Sequence, residues 1–114
     1  MAYNLQLSNR VRQYLADVPS LEIEEKRMFG GLAFMVNGKM CINISGDTLM
    51  CRFDPDRLEE LSNKVGFEPV IMKNRQLKGY CYVAEEGYQN PDDFNFWVQT
   101  CLDYNPIATA SKKS

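Results

Sequence analysis

The chain contains no histidine. That absence excludes Ser-His-Asp and Cys-His nucleophiles, a histidine general base and any histidine-ligated metal, and leaves carboxylate, lysine, tyrosine or thiol chemistry. Cysteine is sparse: Cys41, Cys51, Cys81 and Cys101 stand far apart with no Cys-x-x-Cys pair. The pattern argues against zinc and against a thioredoxin-like redox motif, and for reduced, small apolar core residues. No apolar stretch reaches the length of a membrane span, and residues 1–15 lack the basic start and continuous apolar block of a secretory leader, so the expected compartment is the cytoplasm. A large charge excess is lacking too. A net charge of -2 gives the chain as a whole no strong pull on nucleic acid or anionic membrane, so any such contact has to come from a local patch.

What is present fits one globular domain: 114 residues, 45% hydrophobic and 25% charged, enough for a single sustained core. Leu7, Val11, Tyr14, Leu15 and Val18 recur at three- and four-residue intervals and predict a helix from about Asn4 to Asp17, stopped by Pro19 and Ser20. Strands follow over Ile23 to Met28 and Gly31 to Val36, and Asn37-Gly38 reads as a two-residue hairpin turn. With Val36 facing Lys39 and Met35 facing Met40, an uninterrupted ladder sets Ala33, Met35, Met40, Ile42 and Ile44 on one sheet face. Leu32, Phe34, Val36 and Cys41 fall on the other. Matching Leu49, Cys51 and Phe53 to that first face puts Leu49 opposite Ile44 and separates Cys41 from Cys51, so no disulfide is expected between them.

Asp54-Pro55 is a helix start, with a capping carboxylate and a proline where no amide hydrogen is needed, and the helix is expected to end near Lys64. Pro69 to Met72 reads as a strand, Lys73 to Lys78 as a polar, basic connection and Gly79 to Ala84 as the last strand. Asn90-Pro91 repeats the cap-then-proline signature, with Phe94, Trp97, Val98, Cys101 and Leu102 at helical spacing behind it. The order α-β-β-β-β-α-β-β-α predicts an α+β domain, a mainly antiparallel sheet layered with helices, over residues 1–104, followed by a mobile tail at 105–114.

The segment Arg27-Met28-Phe29-Gly30-Gly31-Leu32-Ala33-Phe34 with Asn37-Gly38 behind it is similar to the N-terminal domain of the TfoX/Sxy competence regulators and their short stand-alone relatives. Leu49-Met50-Cys51-Arg52 before Asp54-Pro55, the run Met72 to Gly79 and Trp97-Val98 extend the resemblance over nearly the whole chain. Two local departures stand out: Gln76 where relatives often carry proline, and Tyr80 where they often carry tryptophan. The resemblance implies a small α+β fold and a regulatory role through protein contacts, since full-length members act as coactivators of competence genes with the cyclic-AMP receptor protein in some bacteria. Those members carry a second, helical domain beyond the point where this chain stops. The expectation is therefore the N-terminal module, with transcription machinery among its partners.

Three groups of residues are candidates for function. Gly30 and Gly31 open an apolar strand without a following Gly-Lys-Ser/Thr, so the motif residues Arg27, Met28, Phe29, Gly30, Gly31, Asn37 and Gly38 are expected to shape the backbone rather than cradle phosphate. Lys73, Arg75 and Lys78, followed by Tyr80 and Tyr82, are the candidate contact for a partner or for nucleic acid, where cations position phosphates and rings stack on bases. Lys26, Arg27 and Arg52 would enlarge that patch if the sheet brought them close. The carboxylates Glu22, Glu24, Glu25, Glu59, Glu60, Glu85 and Glu86 are expected on the solvated surface, and Tyr14, Phe94 and Trp97 in the core, Phe96 excepted. The leading expectation is a non-enzymatic interaction domain without cofactor or metal, self-associating through its second apolar sheet face; the alternative is a weak nucleic-acid binder, and a small enzyme comes last.

Overall fold

The computed structural model describes residues 4–28 and 30–108, so Phe29 of the glycine motif lies outside the described residues, as do 1–3 and 109–114. Helix α1 (Leu5–Ala16) begins where the Asn4 side chain accepts the amide hydrogen of Leu7 at 3.0 Å, and it buries Leu7, Val11 and Leu15. Strands β1 (Ile23–Met28), β2 (Gly31–Val36), β3 (Lys39–Ser45) and β4 (Thr48–Arg52) follow as consecutive hairpins. A 3₁₀ turn (Pro55–Arg57) leads into the single-turn helix α2 (Leu58–Leu61), shorter than the Asp54-to-Lys64 span expected. Next come β5 (Phe67–Met72), β6 (Arg75–Val83), a short helix α3 (Glu85–Tyr88) absent from the sequence expectation, and α4 (Pro91–Tyr104). At α4 the predicted cap holds: Asn90 Oδ1 accepts the Asp92 amide at 2.8 Å, with Pro91 at the first position.

All six strands form one antiparallel sheet in the order β1-β2-β3-β4-β6-β5. The fold is thus α+β as expected. The face under the helices carries Leu32, Phe34, Val36, Leu49, Cys51, Phe53, Cys81 and Val83, joined by Leu7, Val11 and Leu15 of α1 and by Phe94, Trp97, Val98 and Cys101 of α4. Burial of these side chains is the main source of stability.

The assignment of Ile42 and Ile44 to the opposite face is corrected. Met35 pairs with Met40 as expected, but Phe34 pairs with Ile42, so Cys41 is an extra residue on β3, a β-bulge. The bulge shifts the pleat by one position. Cys41, Ile42 and Ile44 therefore all join the core under the helices, leaving Ala33, Met35 and Met40 as a small separate cluster with Met28 and Tyr80. The same shift corrects the separation of Cys41 from Cys51: both lie in the main core, and both are free thiols. Leu49 does sit opposite Ile44.

Packing continues beyond the end of α4 at Tyr104. Asn105 is buried and its side-chain amide donates to the Val36 carbonyl at 3.1 Å, while Lys39 Nζ reaches the carbonyls of Asn105 and Pro106 at 3.1 and 3.3 Å. Ala108 is buried as well, so packed chain continues through residue 108.

Candidate interaction surface

The glycine motif resolves into two different backbone devices. Gly30 has φ +73, a left-handed conformation in the connection between β1 and β2, with open space where a Cβ would stand. Gly31 has no such φ, but a Cβ on it would meet the Ile44 carbonyl oxygen at 1.9 Å. It lets β2 approach β3 where a side chain cannot fit. Asn43 lies beside it, its amide donating to the Met28 carbonyl at 3.3 Å. Arg27 pairs with Leu32 on the edge strand and points its charge to solvent. Asn37 and Gly38 (φ 54 and 83) form the β2–β3 turn, and Asn37 is tied to Glu22 by a backbone bond of 2.8 Å and a side-chain bond of 3.0 Å.

The basic connection is corrected to a hairpin. Lys73 and Asn74 both have positive φ (53 and 64), the signature of a two-residue type I′ turn between Met72 and Arg75. Asparagine tolerates that conformation; lysine rarely adopts it and gave no signal. The register then jumps: Pro69 pairs with Cys81 but Ile71 with Gln76, so Leu77, Lys78, Gly79 and Tyr80 bulge opposite Val70 alone. Pairing with β4 stops at Arg52–Tyr80, extended by the Phe53 amide to the Gly79 carbonyl at 2.9 Å. Beyond that point the hairpin is a two-stranded ribbon without a third strand.

On this ribbon Lys73, Arg75 and Lys78 are exposed, and none joins an ion pair with another described residue. Ile71 and Met72 stand beside them at 56% and 38% exposure, two of the few large apolar side chains the described surface shows. Arg52 does come to this region, its guanidinium 5.9 Å from the Tyr80 ring. Lys26 and Arg27 do not: they lie on β1, the opposite edge, four strand spacings or about 19 Å across the sheet from β6. The second sheet face is also not an open apolar surface, because Ala33, Met35 and Met40 are buried within the chain itself.

A groove between α1 and α4, about 810 Å³, was not visible in the sequence. Arg10, Gln13 and Tyr14 line one side, and Pro91, Phe94 and Asn95 the other. The Arg10 guanidinium lies 4.1 Å from the Phe94 ring centroid, and Tyr14 meets Phe94 edge-on at 6.5 Å. The Tyr14 hydroxyl donates to Gln99 Oε1 at 2.8 Å, and burial, with Asp103 nearby, raises its pKa. Only the juxtaposition of two helices distant in sequence creates this surface.

The acidic candidates sit at the surface. Among the described residues no group of three or more His, Cys, Asp or Glu side chains is arranged to hold a metal ion. Glu25 is bound by Arg12 at 2.6 Å across α1 and β1. That hydrogen bond, opposed by partial burial and helped by the guanidinium charge, lowers the Glu25 pKa. A depressed carboxylate stabilises the fold above its unfolded pKa, about 4.3, and the contribution vanishes as pH falls through the folded value. Because both partners are partly exposed, screening leaves roughly 0.5 kcal/mol. Glu25→Gln is therefore expected to lower the thermal midpoint slightly at pH 7, with the difference from wild type closing as pH falls below about 4.3; a gap that persists in acid would show that the ion pair is not its cause.

The four thiols converge although their sequence positions do not. Cys51 and Cys81 are direct partners across β4 and β6, and Cys101 of α4 sits against Cys41 and Cys51. They form a chain of contacts, Cys41–Cys101–Cys51–Cys81. Its donation to Cys101, with burial, pushes the Cys41 thiol up, and burial does the same to Cys51. Burial opposes ionisation of Cys101 as well, but hydrogen bonds from the two thiols and from the backbone amide of Arg52 outweigh it and pull Cys101 below the ordinary thiol value.

One antiparallel sheet, helices on one face and a hairpin projecting from it define a small α+β module. The chain belongs to the TfoX N-terminal domain family, whose model matches residues 13–104. No curated protein and no solved structure is significantly similar to it.

Proposed function

We propose that this protein is a non-enzymatic, cytoplasmic regulatory module that acts by contacting another protein, and that the β5–β6 ribbon is the contact. The observation that carries this reading is the combination of a type I′ tip, exposed Ile71 and Met72, and three exposed cations that form no ion pair with another described residue. Apolar anchors beside unpaired charges are what a specific protein interface uses for affinity and orientation. Family membership supports a regulatory or interaction role at that general level. The self-association expected from the second sheet face has less support, since that face is already covered. The test is capture from lysate of the native host, followed by reconstitution of each retained protein from purified components. A stoichiometric complex lost in an Ile71→Glu/Met72→Glu variant is the expected result; failure of every retained protein to reconstitute overturns it.

One observation favours a second reading. A two-stranded ribbon fits a nucleic-acid groove, and Lys73, Arg75 and Lys78 lie on one. Three phosphate contacts predict a salt slope of about -2.7, so affinity for a 20-base-pair duplex should tighten about 20-fold between 150 and 50 mM salt. Fluorescence anisotropy on wild type and on a Lys73→Ala/Arg75→Ala/Lys78→Ala variant checks this. Equal binding and equal slope in both proteins would remove nucleic acid from consideration.

A further inference from the structure

Four free cysteines are buried together in the main core. Each comes from a different element: Cys41 from the bulge of β3, Cys51 from β4, Cys81 from β6 and Cys101 from α4. Cys101 is the sulfur on which two other thiols and a backbone amide converge. We propose that Cys101 and Cys41 are an oxidation site, converted by peroxide to a disulfide that staples α4 to the sheet. This inference is independent of the ribbon and its partner.

The step balances without another reagent. The Cys101 sulfur attacks one peroxide oxygen, the O–O bond breaks, and the departing hydroxide takes the thiol proton as water, leaving a sulfenic acid. The Cys41 sulfur then attacks the Cys101 sulfur, the S–O bond breaks, and a second water leaves with the Cys41 proton. Two thiols lose two electrons and two protons; one hydrogen peroxide becomes two waters. Cys41 is the resolving partner because it occupies a bulge, where the ladder is already interrupted and the backbone can shift to reach bonding geometry. Cys51 is held in a regular pair with Cys81.

Both sulfurs are buried, so oxidant reaches them only when the last turn of α4 lifts from the sheet. The latch on that turn is small. It includes the Asn105 side chain on the Val36 carbonyl, Lys39 Nζ on the carbonyls of Asn105 and Pro106, and the Arg52 guanidinium 5.9 Å from the Tyr104 ring. The Asn105 amide bonds back to the Cys101 carbonyl, which ties the latch to the reactive residue one turn away.

The experiment treats the folded, reduced wild-type protein with hydrogen peroxide, counts free thiols with time, and maps disulfides by mass spectrometry of non-reduced peptides. Two of the four thiols should disappear together, with the Cys41 and Cys101 peptides joined and the thermal midpoint raised. Lys39→Ala, which loosens the latch without touching either sulfur, should speed the loss about fivefold. In Cys41→Ala, dimedone should trap a sulfenic acid at Cys101. The proposal is overturned if the folded protein keeps four free thiols at a dose that oxidises the urea-unfolded chain, or if the bond maps to Cys51–Cys81. It is equally overturned if Lys39→Ala leaves the rate unchanged. The wild-type measurements decide the matter even if a cysteine variant fails to fold.

Discussion

Gly31→Ala is expected to cost about 3 kcal/mol or more, enough to take a large share of the stability of a domain this size. The methyl group would stand 1.9 Å from the Ile44 carbonyl oxygen and 2.9 Å from its carbon. Both are backbone atoms of Ile44, paired with Leu32 near the end of β3, and cannot rotate away as a side chain can. Relief requires β2 and β3 to separate, and that breaks ladder bonds at the strands carrying Leu32, Phe34, Ile42 and Ile44. The adjacent Gly30→Ala is the control. It meets nothing within 4 Å and pays only for its φ of +73, about 1 kcal/mol. Urea denaturation of the two variants checks the contrast. Equal losses would mean that the close approach of β2 to Ile44 is not what requires glycine at position 31.

The same pair of glycines shows where reading the sequence succeeds and stops. Two adjacent glycines before an apolar run announced a backbone device, but not that one serves a left-handed connection and the other a strand contact. That distinction depends on where Ile44 lies, thirteen residues on. The Asn90-Pro91 cap and the Asn37-Gly38 turn were legible because their signals are local: a side chain bonding its own helix start, and positive φ at two residues suited to it. The bulge at Cys41 was not legible. Period-2 alternation runs through Met40, Cys41 and Ile42 without a glycine or proline to mark an extra residue, and one missed residue moves every side chain after it to the wrong face.

The candidate surface follows the same division. Lys73, Arg75 and Lys78 stood out by charge alone, yet their presentation on a ribbon rests on Lys73 taking a positive φ against its own preference, imposed by the pairing of Met72 with Arg75. Ile71 and Met72 looked like ordinary strand residues; they are exposed because β5 is an edge strand and β4 ends before reaching them. The α1–α4 groove and the thiol chain have no sequence signal at all. Both arise where elements distant in sequence meet.

Trp97 carries the second large effect, and it separates two contributions. The side chain is fully buried on α4, in the core with Phe34 and Phe53. Trp97→Ala is expected to cost about 4 kcal/mol, the sum of lost burial and the cavity left in a region that cannot collapse under a sheet on one side and a helix on the other. The indole Nε1, however, is buried without a hydrogen-bond partner among the described residues. Its desolvation, about 1 to 3 kcal/mol, is a cost the folded state already bears. Trp97→Phe removes that cost while keeping most of the ring, so its loss should be about 1 kcal/mol or less, well under half of the alanine effect. Because Trp97 is the single tryptophan of the chain, unfolding has to be followed by circular dichroism rather than fluorescence. A phenylalanine variant as unstable as the alanine variant would mean that the indole N–H holds a buried water, and that the polar atom supports the core rather than burdening it.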